Sequence, residues 1–199
     1  MEKPRIALLS GDPAGIGPRL GAKLLKKRAA DFSPVVVGNE RIHTAALSRL
    51  APDLIDLFPV YDVPAGFLVR GERSAEGGRM QLQALGKAAH LLLEGRVDAI
   101  LITGFDPESV SLYDPLLPDD LAYVKKAFPG RKIARAFYLS GSPVTLYEGL
   151  PAPLAISAAG PRYGEEETRP EDEKATEDAL AFLLSLRKAA PGEERPQSP

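Results

Sequence analysis

The sequence predicts an α/β fold, a mainly parallel central sheet flanked by helices, in a single domain over residues 1–189 with a disordered tail over 190–199. Three observations predict it. Continuous apolar runs of strand length recur at Ile6–Leu9, Pro34–Gly38 and Asp98–Ile102, as expected of strands covered on both faces. Stretches with helical spacing separate them, so strand and helix alternate from the N-terminus. The joint after the first strand, Ser10–Pro18, is rich in glycine and proline, as a strand-to-helix turn in such a sheet would be.

The elements follow in order. Ile6–Leu9 is the first strand, broken by Ser10-Gly11-Asp12-Pro13. A helix opens at Gly15-Ile16-Gly17-Pro18, where proline suits the first turn because its missing N–H has no partner to lose, and Leu20, Leu24 and Leu25 share a face. Pro34–Gly38 is a second strand. Asn39 caps a second helix carrying Ile42, His43, Ala46 and Leu50, ended by Pro52. Short strands are expected at 57–61 and 67–70. Ser74 is the N-cap of a long helix over 75–94 whose apolar face is Met80, Leu85, Ala88, Ala89, Leu92 and Leu93, with Gly95 as its stop. Gly77, Gly78 and Gly86 each weaken that helix by about 1 kcal/mol against alanine. Asp98–Ile102 is the clearest strand, ending in Thr103-Gly104. Asp119 starts a short helix with Leu121, Val124 and Phe128 in register, closed by Pro129-Gly130. Further strands are expected at 133–139, 144–147 and 154–156, with a break at Ser140–Pro143. The last helix runs over 170–189. Glu171, Asp172 and Glu173 in its first turn and Arg187 and Lys188 in its last complement the helix dipole, and Ala179, Leu180, Leu183, Leu184 and Leu186 form its buried side.

Composition narrows function. The chain has 199 residues, 44% hydrophobic, with a formal net charge of −2, which supports one core and gives no basic footprint for nucleic acid or an anionic membrane. It has no cysteine, which excludes disulfides and thiolate catalysis. The N-terminus runs straight into a strand with no signal-peptide pattern, and no apolar run approaches membrane-spanning length, so a cytoplasmic location is expected.

The turn over Gly11–Gly17 is the candidate functional element. Its glycines allow close backbone approach, and the following helix offers unpaired N–H groups to an anion. It matches neither the dinucleotide fingerprint GxGxxG nor a Walker A loop, and glycines kept for geometry alone are the other reading. The string GDPAGIGP resembles the N-terminal signature of the 4-hydroxythreonine-4-phosphate dehydrogenase family, with Arg19 where relatives commonly carry an acid. The segment Ser74–Gly104 is similar to that family's Ser-Ala-x-x-Gly, long helix and Thr-Gly strand end. Gly164-Glu165-Glu166 is a weaker third match, in the same order.

The resemblance implies a scaffold of the isocitrate/isopropylmalate dehydrogenase-like group in reduced form, a homodimer, and NAD-dependent oxidation of a phosphorylated hydroxy compound, with a divalent metal held by three histidines. This sequence departs from the motifs that carry that metal. The stretch after Thr103-Gly104 holds no histidine, with Glu108 near the place of a family lysine. The family's Asn-Pro-His-Ala-Gly corresponds to Ile156-Ser157-Ala158-Ala159-Gly160, and the family's C-terminal portion with its third metal histidine has no counterpart. His43 and His90 fall in predicted helices away from these motifs. The expectation is therefore a divergent family member that binds an anionic, phosphorylated small metabolite at Gly11, Asp12, Gly15, Gly17, Ser74, Thr103 and Gly104. No catalytic residue is assigned, no metal ligand, and no cofactor unless the family's NAD and metal are retained. An active oxidoreductase of the family's type is the alternative.

Other groups have two readings each. Asp106, Glu108, Asp114, Asp119 and Asp120 are loop and helix-cap acids or an all-oxygen magnesium site, the former being favoured. Glu165–Glu167 is a solvated lead-in to the last helix or a carboxylate cluster. Ser140-Gly141-Ser142 lacks a positioned base and gives little support to nucleophilic catalysis. Arg70, Arg73 and Arg79 flank Ser74 and either meet a phosphate near the glycine turn or are surface charge.

Overall fold

The computed structural model describes residues 3–39, 42, 56–59, 70–117, 120–127, 129, 138–139, 142–147, 154–157 and 168–189. Within these, the strands are β1 (Arg5–Leu9), β2 (Ser33–Gly38), β3 (Asp56–Pro59), β4 (Ala99–Thr103), β5 (Tyr138–Leu139), β6 (Ser142–Tyr147) and β7 (Leu154–Ser157). The helices are α1 (Gly17–Arg28), α2 (Ala75–Leu93), α3 (Pro107–Tyr113), α4 (Asp120–Ala127) and α5 (Pro170–Ala189). The rest of the helix expected after Asn39, with His43, lies outside the described residues. So do the expected strand residues 67–69 and 133–137, the Ser140-Gly141 turn, Glu165–Glu167 and the tail over 190–199.

The fold is α/β. Among the described residues one sheet runs in the order β3-β2-β1-β4-β7-β6-β5. Strands β3, β2, β1, β4 and β7 are parallel neighbours, and β6 and β5 extend the sheet antiparallel beyond β7. β6 begins at Ser142 rather than after Pro143. Its pairing with β7 starts only at Val144, so Pro143 sits where a ladder donor on that side is not needed.

Alternation along the strands sends side chains to two covered faces. Ala7, Leu9, Val35, Val37, Ile100 and Ile102 meet Leu85, Ala88, Ala89 and Leu92 of α2, with Val110 and Leu117 beyond them. Ile6, Leu8, Val36, Ala99 and Leu101 meet Leu24 and Leu25 of α1, Phe32, and Ala179, Leu180 and Leu183 of α5. The molecule therefore has helix, sheet and helix layers with a core on each face of the sheet. Burying one leucine side chain here is worth about 1.5–3 kcal/mol.

Three expectations need correction. Leu93 is not on the apolar face of α2 but half-exposed, and Leu91 is buried in its place. α2 ends there, and the backbone turns away through Glu94 and Gly95. Arg70 lies in a turn rather than at a strand end. The helix α3, which begins four residues after β4, was not expected from the sequence. The glycines of α2 also have positive roles. A Cβ on Gly78 would collide with the Ser109 backbone of α3, and one on Gly86 would meet the Tyr123 hydroxyl of α4. They weaken the isolated helix but let two shorter helices pack tightly against it.

Candidate functional site

The chain leaves β1 toward β2 on one side and later places β4 on the other, so β1 and β4 meet where the strand order reverses. In open parallel sheets the crevice beyond the carboxyl ends of the strands at such a point is where ligands bind. The β1–α1 turn and the end of β4 converge there. Gly11 and Gly104 both have positive φ (67° and 76°), and the Asp12 amide donates to the Gly104 carbonyl at 3.2 Å. A Cβ on Gly17 would run into the carbonyl oxygens of Ser10 and Thr103. The Thr103 hydroxyl faces the carbonyl oxygens of Gly17 (2.9 Å) and Leu9 (3.2 Å), tying the start of α1 to the ends of both strands.

Five of the seven expected site residues, Gly11, Asp12, Gly17, Thr103 and Gly104, are buried in this joint and engage one another. Their glycines serve a backbone-to-backbone contact. Gly15 and Ser74 are partly exposed at its rim. Gly71 donates its amide to the Ala14 carbonyl at 2.9 Å, which docks the 70–74 segment on the β1–α1 turn and brings Ser74 alongside it. The Ser74 hydroxyl accepts from the Gly77 amide at 3.0 Å, as an N-cap does.

Sequence reasoning missed the polar network under this rim. Asp12 is fully buried, accepts from the Ala14 amide at 2.8 Å, and lies against Gly77 in the first turn of α2, where a side chain would displace it. Its negative charge therefore sits at the positive end of a helix dipole. Asp106 is also fully buried. It caps α3 by accepting from the Glu108 amide (3.1 Å), the Ser109 amide (3.3 Å) and the Ser109 hydroxyl (2.8 Å). Gln81, on α2, joins the two acids. Its carbonyl accepts from the Asp106 amide at 2.7 Å, and its amide nitrogen reaches the Asp106 carbonyl (3.3 Å) and an Asp12 carboxylate oxygen (3.5 Å). A glutamine on the face of α2 turned toward the strand ends was the available signal.

The three arginines separate. Arg70 is exposed in its turn, and Arg79 pairs with Glu76 along α2 at 2.9 Å. Arg73 stands over the network, with Nε 3.1 Å from Asp106 Oδ2 and a terminal nitrogen 2.7 Å from Glu108 Oε2. A groove of about 300 Å³, lined by Arg73, Pro107, Glu108, Ser111 and Leu112, opens beside that pair. Of the acids after β4, Asp106 caps α3, Glu108 pairs with Arg73 from the first turn of that helix, and the Asp114 carboxylate accepts from the Leu116 amide at 3.0 Å. Asp119 lies outside the described residues.

No family model matches the chain. The 4-hydroxythreonine-4-phosphate dehydrogenase of Janthinobacterium sp. (strain Marseille) is 30% identical over 130 residues, covering 55% of this chain and 38% of the relative. The D-threonate 4-phosphate dehydrogenase of Salmonella typhimurium (strain LT2) is 27% identical over 131 residues, covering 56% of this chain and 40% of the relative. This chain is a partial, divergent relative of the 4-hydroxythreonine-4-phosphate dehydrogenases. It spans about two fifths of the length of these curated relatives. Solved 4-hydroxythreonine-4-phosphate dehydrogenases share its fold. The Klebsiella pneumoniae structure has a TM-score of 0.68 at 15% identity, covering 92% of this chain and 98% of that one. The Burkholderia phymatum structure has a TM-score of 0.60 at 20% identity, covering 70% and 48%.

The described residues do not supply the three-histidine donor set for the metal that the resemblance to 4-hydroxythreonine-4-phosphate dehydrogenases implies. The sheet register pairs Ser157 with Thr103, so the segment matching Asn-Pro-His-Ala-Gly starts at the same carboxyl edge, and it carries no imidazole. His90 pairs with Glu94 on the surface at 2.9 Å. It is sixteen residues along α2 from Ser74, roughly 24 Å at helical rise. Asp12 and Asp106 are occupied by protein donors. Among the described residues no group of three His, Asp or Glu side chains gathers as a metal would require.

Proposed function

We propose that this chain binds a small phosphorylated metabolite at the carboxyl edge between β1 and β4, and does so without the metal-dependent oxidation implied by its family resemblance. Gly11, Asp12, Gly17, Thr103 and Gly104 build the floor of the site. Gly15, Ser74 and the neighbouring Arg73 form the rim that meets the ligand's anionic groups. The observation that carries this reading is the convergence of the two strand-end turns at the point where strand order reverses, with a guanidinium standing over it. The names of the relatives support a phosphorylated ligand. The loss of oxidation is supported by the sequence, in which the stretch after Thr103-Gly104 holds no histidine and the segment matching Asn-Pro-His-Ala-Gly reads Ile156-Ser157-Ala158-Ala159-Gly160. The ligand is a free metabolite rather than nucleic acid or a membrane, in keeping with the near-neutral charge, and no helix among the described residues is long and apolar enough to cross a membrane. A homodimer is carried over from the resemblance.

The test is a calorimetric titration with 4-hydroxythreonine 4-phosphate, in chelator and in excess zinc or magnesium, beside an assay of NAD reduction. Binding that is indifferent to chelator, with no NAD reduced, is expected. Metal-dependent turnover would restore the alternative, an active NAD-dependent oxidoreductase. No binding under any condition would refute the metabolite site itself.

A further inference from the structure

Resting on that metabolite reading, we infer that Gln81 is a positioning residue of the site, a buried amide that does not meet the ligand but sets Gly15 and Ser74 of the rim relative to each other. Gln81 lies on α2 and is 2% exposed. Ser74 caps the same helix about two turns earlier, on the same side. Gly77 and Gly78 lie on the stripe between them, one against the Asp12 carboxylate and the other against the Ser109 backbone. The face of α2 that carries Ser74 at the rim is therefore the face laid against both strand-end turns.

Asp12 carries the link to the other half of the rim. Its Oδ1 accepts from the Ala14 amide at 2.8 Å and its carbonyl accepts from the Gly15 amide at 3.1 Å, so this one residue folds the turn that presents Gly15. Its Oδ2 accepts from the Gln81 amide nitrogen at 3.5 Å. The other contacts of Gln81 close on the Asp106 backbone, whose N–H donates to Oε1 at 2.7 Å and whose carbonyl accepts from Nε2 at 3.3 Å. Gln81 is thus held closely at the β4–α3 joint and more loosely at the β1–α1 turn. The long contact is the one that a ligand seated between Gly15 and Ser74 changes.

An amide fits this place as a carboxyl does not. The Asp106 N–H needs an acceptor, whereas the Asp106 carbonyl and the Asp12 carboxylate take donors, and one NH2 group supplies both. An ionised carboxyl at position 81 has no donor. It would stand between Asp12, on the β1–α1 turn, and Asp106, whose own carboxylate is held by Arg73 at 3.1 Å. Burial and these two acids would raise its pKa, and protonation would return one donor.

The experiment follows binding of 4-hydroxythreonine 4-phosphate to the full chain by NMR and calorimetry, in the wild type and in Gln81→Glu. In the wild type the Gln81 side-chain NH2 resonances should move as the ligand is added, although the residue is sealed from solvent. That measurement decides alone if the variant does not fold. In Gln81→Glu, with folding checked by circular dichroism at each pH, binding at about pH 8 should be at least about tenfold weaker than in the wild type, and the deficit should shrink as pH falls to about 6. Taking the ratio to wild type cancels the titration of the ligand's own phosphate. A purely structural glutamine would lower stability and leave that ratio flat. Unmoved NH2 resonances in the saturated wild type, a folded Gln81→Glu with wild-type affinity, or a deficit equal at every pH overturns the inference and leaves the metabolite site standing. No binding by the wild type overturns both together.

Discussion

Asp106 at the end of β4 and Glu173 at the start of α5 each gather a cation and a hydroxyl, but in opposite surroundings. Asp106 is sealed from water and takes its hydroxyl and two amides from within its own helix, with Arg73 added from above. Glu173 lies on the seam between α1 and α5. It is held by Lys23 (2.7 Å), Lys27 (3.1 Å) and the Thr168 hydroxyl (2.7 Å), and Lys27 also reaches Glu177 at 2.8 Å. The lysines come from about 150 residues away along the chain, on long stems that are half in solvent. The carboxyl edge of the sheet thus holds a preorganised buried network, and the seam is a latch between α1 and α5. A buried acid with short-range donors keeps its geometry in any salt, whereas the seam is open to screening.

Substitutions can test that contrast, and the largest effect belongs to the carboxyl edge. Gly17→Ala forces a Cβ into two backbone carbonyls and should cost more than about 4 kcal/mol or prevent folding, read from denaturant midpoints. Asp106→Ala removes a helix cap and strands the Ser109 hydroxyl, and should cost about 2–3 kcal/mol with little dependence on salt. Ser74→Ala should cost about 1 kcal/mol through the first turn of α2.

The seam should respond to pH and salt instead. Its hydrogen bonds from Lys23, then Thr168 and Lys27, hold the Glu173 carboxyl down from 4.5 to about 2. A depressed carboxyl contributes stability that is fully present above the unfolded value of 4.5 and is lost as pH falls from there to about 2. Glu173→Gln should therefore flatten the acid limb of a stability–pH curve across that window and leave the limb above pH 5 parallel to wild type. Lys27→Met should give the smallest change, visible at low ionic strength and gone in 1 M salt, where the Debye length is about 3 Å.

How much of this was legible in the sequence follows from how local each cause is. The strands of the parallel sheet could be read because Val35-Val36-Val37 and Ile100-Leu101-Ile102 have no polar face to offer, whatever their partners. Ser74 could be read as a cap because its partner, Gly77, is three residues away. The α3 helix was hidden because seven residues hold too little periodicity to stand out, although Asp106-Pro107 is a cap-and-first-turn pair. The union of Asp12, Gln81 and Asp106 depends on the sheet bringing residues up to 94 positions apart to one edge, and no local pattern encodes that. The glycine turn could be read as a strand-to-helix joint, because the apolar run before it and the leucine spacing after it are local. Its glycines turned out to serve the β4 backbone, because Gly17 lies where a side chain would overlap Thr103.

The central claim is that the convergence of β1 and β4 forms the metabolite site. It is tested most directly by mapping backbone amide shifts of the full chain as 4-hydroxythreonine 4-phosphate is added. The largest shifts should fall on Gly15, Arg73 and Ser74, with Glu173 and the α1–α5 seam unmoved. Shifts centred on the seam, or none anywhere at saturating ligand, would contradict it.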